Sequence, residues 1–579
     1  MAVENLITEH IDIWTSAVKT RSTSGRGSSK KLELYGVKKL RELILELAVQ
    51  GKLVPQDPND EPASVLLKRI AQEKAQLVKE KKLKKPKKLP NISDEEKPFD
   101  LPNGWSWIRL NEYGEWGSGS TPKRSNSGYY DGGIPWFKSG ELKADYISES
   151  EETITELALS ETSVRYNNVG DVLVAMYGAT IGKTAILSVR ATTNQAVCAC
   201  TPFTGLSNTY LLTLLKAYKA RLIGMGAGGA QPNISREKII NTVIALPSTA
   251  EQHRIVAKVD ELMTLCDQLE QQTEASIEAH QVLVTTLLET LTNSADADEL
   301  MQNWARISEH FDTIFTTEES IDQLKQTILQ LAVMGKLVPQ DPSDEPAAEL
   351  LKRIAEEKAQ LVKEKKIKKQ KALPPISEDE KPFELPSGWV WCRLQDITSK
   401  ITDGDHKTPP RIETGYTLLS AKNVRDGFID FSTTDFISEE DYMKSRERCL
   451  PEHNDLLIVS VGGTIGRSSL VPKKSDFALV RSVALIKPLK FNSEYLKHAM
   501  DSKLLQDSIH NNKRGGAQPC LYLSEISKFP FTMPPLEEQN RIVLKINQLL
   551  AICESLKLQI QESQVTQFHL TDAIVEQAV

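Results

Sequence analysis

Apolar residues recur at alternating steps of four and three positions in two long stretches of the chain. The first stretch contains Ile255, Val259, Leu262, Cys266 and Leu269. The second stretch lies 287 positions later and contains Ile542, Ile546, Leu549, Cys553, Leu556 and Ile560. A heptad of this kind buries one helix face against a partner helix. The pattern therefore predicts two long helices in one register, and the simplest partner of each is the other.

Shorter patterns predict the remaining elements. The run SVLLKRIAQEKAQLVKEKK predicts a helix, with Asp60 as its cap and Pro62 in its first turn. The runs DVLVAMYG, TAILSV and DLLIVSVGG predict short strands between glycine-rich turns. Two further helices are predicted from SNTYLLTLLKAYKARLIGMG and NSEYLKHAMDSKLLQDSI.

A large part of the chain is written twice. The segment that begins LAVQGKLVPQDP at Leu47 returns at Leu331, and 49 of 64 compared positions are identical. GGAQPNIS and GGAQPCLY extend the repeat, as do LPSTAEQHRIVAKV and MPPLEEQNRIVLKI. This predicts two halves, about 1–290 and 300–579, and the first carries an extra RSTSGRGSSKK that favours a flexible surface loop. The cores between the matched blocks are dissimilar, which indicates one scaffold holding two heads of different specificity.

Composition narrows the class of protein. The chain has 579 residues, of which 40% are apolar and 26% charged, as expected for several globular domains. No apolar run is long enough to cross a membrane and the N-terminus does not resemble a signal peptide. Seven scattered cysteines suit a reducing cytoplasm. The net charge of −7 argues against a protein that coats nucleic acid on its own.

The run KKLKKPKKLP, which follows the first predicted helix, is strongly basic. A solvated linker is the favoured interpretation. The alternative is a strap that contacts DNA phosphates, because lysines beside DNA release counterions.

Two glycine-rich runs resemble nucleotide-binding motifs. MYGATIGKTA has the outline of a phosphate loop ending in Lys183, but Tyr177 replaces its first glycine and the second copy has Arg467 in place of the lysine. GMGAGG fits a dinucleotide pattern but follows a predicted helix rather than a strand. A nucleotide-hydrolysing enzyme that uses Lys183 therefore stays an alternative, as does a coiled-coil scaffold. No metal site or catalytic centre is predicted, since His406 has no partner histidine at ligand spacing.

The other residues that could bind a ligand lie in polar loops at matching positions of the two cores. The first core has GSGSTPKRSNSG, WFKSGELK, YGATIGKT and GAGGAQPN, and the second has ITDGDHKTPPR, SAKNVRDG, GGTIGRSS and NNKRGGAQP. Glycine allows close approach of the backbone to a ligand, and the polar side chains can read base edges or bind phosphates.

This organisation resembles the specificity subunit of a type I restriction–modification enzyme. The resemblance rests on cores that open with LPNGWSWIRL or LPSGWVWCRL, close with the EQ-x-RIV blocks, and contain GATIGK, GGTIGR and ITDGDHKTPP. It covers essentially the whole chain. It implies an α+β fold with two mixed α/β target recognition domains, joined by two long antiparallel coiled-coil-like helices with an internal pseudo-twofold repeat.

The resemblance also implies a division of the chain. Conserved helical regions are expected at 1–100 and 293–384, target recognition domains at 101–248 and 385–535, and long spacer helices at 249–292 and 536–579.

The family role implies a non-catalytic subunit that binds double-stranded DNA in the prokaryotic cytoplasm. Each recognition domain would read half of a split, asymmetric target, and the helices would fix the unread spacer. Two methylation subunits would dock on the helical region, and two restriction subunits can join them. S-adenosylmethionine, ATP and Mg would then be bound by those partners.

By motif, the residues expected to contact DNA in the first core are Thr121, Lys123, Arg124, Lys138, Tyr177, Thr180, Lys183 and Gln231. In the second core they are Asp405, His406, Lys407, Lys422, Asn423, Thr464, Arg467, Arg514 and Gln518. Glycines 178, 182, 462 and 466 are expected to shape the loops.

Overall fold

The computed structural model describes residues 3–22, 30–81, 89–226, 232–295, 297–473, 476–516 and 518–579. The chain forms two compact units, one of residues 1–276 with 563–579 and one of residues 277–562. The compact units therefore differ from the two sequence halves, because residues 563–579 belong to the first unit.

Helices and strands alternate along the first part of the chain. The helices are α1 (Val3–Glu9), α2 (Ile11–Ser16), α3 (Tyr35–Val49), α4 (Ala63–Lys79), α5 (Glu156–Glu161), α6 (Asn208–Ala217), α7 (Lys219–Gly224), α8 (Arg236–Asn241) and α9 (Thr249–Asn293). The strands are β1 (Val18–Ser22), β2 (Lys30–Leu34), β3 (Ser106–Arg109), β4 (Gly114–Ser118), β5 (Tyr130–Phe137), β6 (Tyr146–Ile147), β7 (Thr153–Ile154), β8 (Val172–Ala175), β9 (Thr184–Leu187), β10 (Thr192–Thr193), β11 (Val197–Pro202) and β12 (Val243–Leu246).

The second part of the chain repeats this order, apart from β1, β2 and β6, which have no counterpart among its described residues. Its helices are α10 (Ala297–Glu309), α11 (Phe311–Ile314), α12 (Glu318–Val333), α13 (Ala347–Lys363), α14 (Glu439–Arg448), α15 (Ser493–Asp501), α16 (Lys503–Asn512), α17 (Leu523–Ile526) and α18 (Leu536–Ala578). Its strands are β13 (Val390–Arg393), β14 (Thr398–Asp403), β15 (Tyr416–Leu419), β16 (Asp435–Ile437), β17 (Leu456–Val459), β18 (Ser468–Leu470), β19 (Phe477–Leu479), β20 (Val483–Pro488) and β21 (Pro530–Met533).

The two cores have matching sheets. The main sheet of the first core has the order β4-β11-β8-β9-β6, and that of the second has the order β14-β20-β17-β18. Each core also has a three-stranded sheet, β10-β5-β7 or β16-β15-β19. A separate two-stranded antiparallel sheet, β3 with β12 or β13 with β21, joins the beginning of each core to its end. The observed α/β content agrees with the predicted fold class.

The repeated blocks hold each core with the same side-chain network. In the first copy the indole N–H of Trp105 donates to Glu251 at 2.9 Å, and Gln56 donates to the other carboxylate oxygen at 2.7 Å. In the second copy the indole of Trp389 donates to Glu538 at 3.0 Å. Burial is the main reason that the pKa of Glu251 is raised. One scaffold thus carries two different cores, as the repeat predicts.

The predicted cap of α4 was wrong. Pro62 occupies the cap position and Asp60 makes no capping bond. The Asp60 carboxylate instead binds the guanidinium of Arg254 at 2.8 Å and accepts a hydrogen bond from Ser248 at 2.9 Å. The pKa of Asp60 is lowered, chiefly by the hydrogen bond from Arg254. The carboxylate that the sequence pattern predicted to cap α4 therefore forms an ion pair with Arg254 instead.

The heptad residues of both long helices face inward. The buried members are Ile255, Val259, Leu262, Cys266, Ile542, Ile546 and Cys553, and the half-buried members are Leu269, Leu549, Leu556 and Ile560. Within the second unit, the heptad residues of α18 belong to one apolar cluster with α12 and the last turns of α9.

Shorter helices contact both long helices. In the first unit, Arg41 of α3 binds Asp267 of α9 at 2.6 Å, and Tyr35 of α3 donates to Asp572 of α18 at 2.8 Å. In the second unit, α12 makes the corresponding contacts with α9 and α18 through Glu319 and Asp322. Direct packing of α9 on α18 stays a prediction.

Several smaller predictions can be compared with the fold. The three predicted strands are confirmed as β8, β9 and β17. The two helices predicted to follow them were each wrong as single helices, because the chain breaks at Tyr218 and at Ser502, where the backbone leaves the helical conformation. The predicted loop RSTSGRGSSKK was wrong at its ends, since β1 and β2 pair there as an antiparallel hairpin.

Candidate nucleic-acid interface

In the first core, the GATIGK turn is hydrogen-bonded to the end of the GGAQPN run. The backbone N–H of Ile234 donates to the carbonyl of Met176 at 2.9 Å, and that of Gly178 donates to Pro232 at 2.8 Å. These bonds place Tyr177 opposite Asn233. Two motifs that are some 50 residues apart in the sequence therefore form one surface.

The second core repeats this pairing atom for atom. The N–H of Leu521 donates to Ser460 at 2.8 Å, and that of Gly462 donates to Pro519 at 3.0 Å. The same backbone arrangement thus supports two different sets of side chains.

Glycine is required at the turn itself. Gly178 and Gly182 have φ of 60° and 77°, and Gly462 and Gly466 have φ of 103° and 95°, a region that other residues rarely adopt. A Cβ on Gly466 would also lie 2.7 Å from the side-chain oxygen of Gln506. The prediction that these four glycines shape the loops is confirmed.

The turn lies between antiparallel strands in both cores. In the first, β8 pairs with β9, and in the second β17 pairs with β18. A nucleotide phosphate loop requires a strand followed directly by a helix. A hairpin turn does not fit that requirement, so the geometry does not support Lys183 as the lysine of an ATP site.

The predicted residues on the turn are at least partly accessible. The ring of Tyr177 is exposed, and the hydroxyl of Thr180 donates to the Tyr177 carbonyl at 2.7 Å. Lys183 is half-buried and forms no ion pair with any described residue. In the second core Thr464 is half-buried, and the guanidinium of Arg467 lies 3.8 Å from Asp426.

A second loop lies beside the turn in the first core. The N–H of Ser120 donates to Thr193 at 3.0 Å, and the hydroxyl of Thr121 donates to the side-chain oxygen of Gln195. The N–H of Met176 donates to Ala196 at 2.8 Å, which joins this loop to the glycine turn. We call residues 119–124, 138, 177–183, 195 and 232–233 the first loop face.

The second core has the corresponding loop. The N–H of Asp405 donates to Leu479 at 2.8 Å, and the N–H of Arg481 donates to Asp405 at 3.0 Å. His406 is exposed, with its Nε2 2.9 Å from a carboxylate oxygen of Asp403, and Lys407 is exposed. We call residues 404–407, 422, 462–467, 481, 514–516 and 518–520 the second loop face.

Gln195 and Arg481 are exposed residues that the sequence patterns did not identify. Each precedes an inner strand of its main sheet, β11 or β20, by two residues, and each lies between the glycine turn and the second loop. The signal that could have found them is a polar residue directly before a buried strand. Gln matches the adenine edge, and Arg matches the guanine edge.

Acidic residues engage two of the predicted cations of the first core. Arg124 binds Glu152 and lies 5.0 Å from the centre of the Trp136 ring, and Lys138 binds the same carboxylate at 3.1 Å. The pKa of Glu152 is lowered, above all by the hydrogen bond from Arg124. Lys123 is exposed and has no ionic partner within the described ranges.

The prediction that Asn423 contacts DNA was wrong. Its side chain is fully buried, accepts from the backbone N–H of Ser420 at 3.0 Å, and donates to the carbonyls of Asp430 and Thr433. Glu141 makes the equivalent turn-closing bond in the first core. The neighbouring Lys422 remains on the surface and binds Asp435 at 3.2 Å.

The last predicted residues lie in the GGAQP run. Arg514 is exposed and its backbone pairs with Cys520 at 2.9 Å and 2.7 Å, with its guanidinium 3.7 Å from Glu525. Gln518 is exposed. Gln231, its counterpart in the first core, lies outside the described residues.

Comparison with known proteins places the chain in a family. The profile of the type I restriction modification DNA specificity domain matches twice, at residues 102–279 and 388–563. The EcoAI specificity subunit of Escherichia coli is 44% identical, and the EcoEI specificity subunit is 42% identical, each over the full length of both chains. The solved HsdS subunit from Thermoanaerobacter tengcongensis is 18% identical, with 83% of this chain and 98% of that chain covered and a TM-score of 0.40. Within the described ranges, no helix combines the length and apolar content needed to cross a bilayer.

Proposed function

The chain belongs to the type I restriction–modification specificity subunits, and from this premise we propose that its two loop faces read the two halves of a split, asymmetric DNA sequence. It is a specificity subunit with two DNA recognition domains, and its role is recognition rather than catalysis. The first loop face would read one half-site and the second loop face the other.

One observation carries the proposal. The two loop faces have the same backbone hydrogen bonds at matching positions but carry different side chains, such as Gln195 and Arg481. Two domains that recognise different sequences need the same backbone arrangement but different polar side chains. Base edges are distinguished by the donors and acceptors that face them.

The long helices would fix the distance between the half-sites. The burial of the heptad residues on both α9 and α18 supports a rigid element, and the two loop faces would then meet DNA a fixed number of base pairs apart. We expect the helices to run antiparallel as a coiled coil.

The relatives are named as subunits of type I restriction enzymes. We therefore expect two methylation subunits to dock on the helical region and restriction subunits to join them. S-adenosylmethionine would be bound by the former, and ATP with Mg by the latter. All seven cysteines are free thiols, which supports a cytoplasmic location.

Methylome sequencing tests this function. Cells that express the chain with its methylation subunit should acquire methylated adenines in one bipartite motif with an unread spacer of constant length. Cells that express the methylation subunit alone are the control. A continuous methylated motif, or the same methylation without the chain, would overturn the proposal.

A further inference from the structure

A lysine-rich segment leaves the end of α13 and runs along the second unit. We call residues 363–375 the lysine strap. Its six lysines are all exposed, at positions 363, 365, 366, 368, 369 and 371. Its single acidic residue, Glu364, binds Lys366 at 2.8 Å. The strap therefore carries a clear excess of positive charge.

The far end of the strap is fixed to the base of the second core. The side chain of Gln395 donates to the carbonyl of Lys371 at 2.9 Å. The guanidinium of Arg393 donates to the carbonyls of Pro374 at 3.3 Å and Pro375 at 3.2 Å. The strap is thus held at both ends, by α13 and by β13, and differs from a free linker.

Two of the acids that follow the strap, Glu378 and Glu380, have other partners. Glu380 binds the buried guanidinium of Arg393 at 2.8 Å, and Glu378 binds Lys381 at 2.6 Å. Both carboxylates bind other cations, so neither forms an ion pair with a lysine of the strap.

Helix termination explains only some of these lysines. Cations are favoured near a helix C-terminus, which accounts for Lys363 and for Lys365, the residue that turns the chain with φ of 57°. Lys368, Lys369 and Lys371 lie beyond the helix end and form no ion pair with any residue that the structure describes. No described residue of the second unit forms an ion pair with these three lysines.

The sequence repeats this charge in the first copy. Residues 79–88 there contain seven lysines and one glutamate, in a chain whose net charge is −7. Cations are concentrated in two short runs although the whole chain is acidic.

We propose that the lysine strap is a phosphate-binding site that contacts the DNA backbone without reading bases. This inference rests on the proposed function, which brings DNA to the second unit. Lysine neutralises phosphates and releases their counterions. Protein–protein interfaces are instead enriched in arginine and aromatic residues and depleted of lysine, and the strap has neither arginine nor an aromatic residue. Its composition therefore favours nucleic acid over an acidic protein partner.

The test compares two triple variants in the assembled complex with the methylation subunits. One carries Lys368→Gln, Lys369→Gln and Lys371→Gln. The control carries Lys352→Gln, Lys444→Gln and Lys503→Gln, which removes the same charge from exposed lysines outside the strap. Binding is measured between 50 and 200 mM salt on duplexes with the methylated motif and with a scrambled motif.

Each lost phosphate contact lowers the slope of log affinity against log salt by about 0.9. We expect the strap variant to lose about 2.7 from this slope on both duplexes, and the control variant to keep the wild-type slope. The methylated motif should stay the same, since the strap reads no base.

Three results would overturn the inference. They are an unchanged slope, a loss confined to the motif-bearing duplex, and dissociation of the methylation subunits from the strap variant, which would identify a protein partner. Failure of the proposed function would look different, because the wild-type complex itself would then show no preference for the motif.

Discussion

The carboxylate of Glu380 illustrates how a single residue stabilises the scaffold. Hydrogen bonding to Arg393, partly opposed by desolvation, lowers its pKa from 4.5 to about 2. Because the folded-state pKa lies below the unfolded value, this stabilisation is complete above pH 4.5 and is lost as the pH falls through about 2.

We therefore expect Glu380→Gln to lower the free energy of unfolding by about 2–3 kcal/mol at pH 7, since it leaves Arg393 buried without its anion. The difference from wild type should shrink at pH 3. Urea unfolding at both pH values measures it, with Glu378→Gln as the control from the same turn. Equal stability at pH 7, or a gap that does not change with pH, would contradict this assignment.

A second prediction concerns the exposed residue of the second loop face that precedes β20. Replacing Arg481 by Ala should relax discrimination at one base pair of one half-site by about 1–3 kcal/mol. Gln195→Ala should act in the same way on the other half-site only. Binding of the complex to duplexes with each base substituted in turn measures both effects, and Lys503→Ala is the control. Uniform weakening on every duplex would instead indicate phosphate contacts.

Single-residue roles were only partly predictable. The motif residues around the glycine turn lie together because the motifs themselves mark the turn. The sequence could not show that Asn423 stabilises a loop, because its three hydrogen-bonding partners come together only when that loop folds. Gln195 and Arg481 were missed since their neighbours in the second loop lie more than 70 residues earlier in the chain.

At the scale of elements, the glycine turn offers a matched pair of substitutions. Gly466 has φ of 95° and meets Gln506, whereas Gly463 has open space around its Cβ and no positive φ. Gly466→Ala should cost about 1–3 kcal/mol in unfolding free energy, and Gly463→Ala should be neutral or slightly stabilising. Thermal unfolding of both variants checks this difference. Equal losses of stability in the two variants would show that the turn does not require a glycine with positive φ at position 466.

The long helices offer another pair. Ile546 of α18 is fully buried, whereas Leu544 is 64% exposed. Ile546→Ala should destabilise the second unit by about 2–5 kcal/mol, and Leu544→Ala should change the free energy of unfolding by less than about 0.5 kcal/mol. Urea denaturation of the two variants provides the comparison, and similar losses would contradict the burial of the heptad residues.

Periodicity predicted which elements form but not where they break. The strands β8, β9 and β17 were predictable from their apolar runs, because a strand that is buried on both faces has apolar residues at successive positions. The breaks at Tyr218 and Ser502 carry no proline or glycine signal, so the apolar pattern continues across them. The heptads likewise predict that one face of each long helix is buried. They do not specify that α3 and α12 contact these helices.

At the scale of the whole molecule, the duplication predicted two equivalent cores and one shared scaffold. It did not predict that residues 563–579 belong to the first compact unit. The contact of Tyr35 with Phe568 and Asp572 explains this assignment, and no sequence repeat marks such a contact between the two ends of the chain.

We propose above all that each core reads one half-site independently of the other. The most direct measurement replaces residues 106–246, from β3 to β12, with the equivalent core of a relative that methylates a different motif, and then sequences the methylome. We expect one half of the bipartite motif to change, while the other half and the spacer length stay the same. A change in both halves, or in neither, would contradict it.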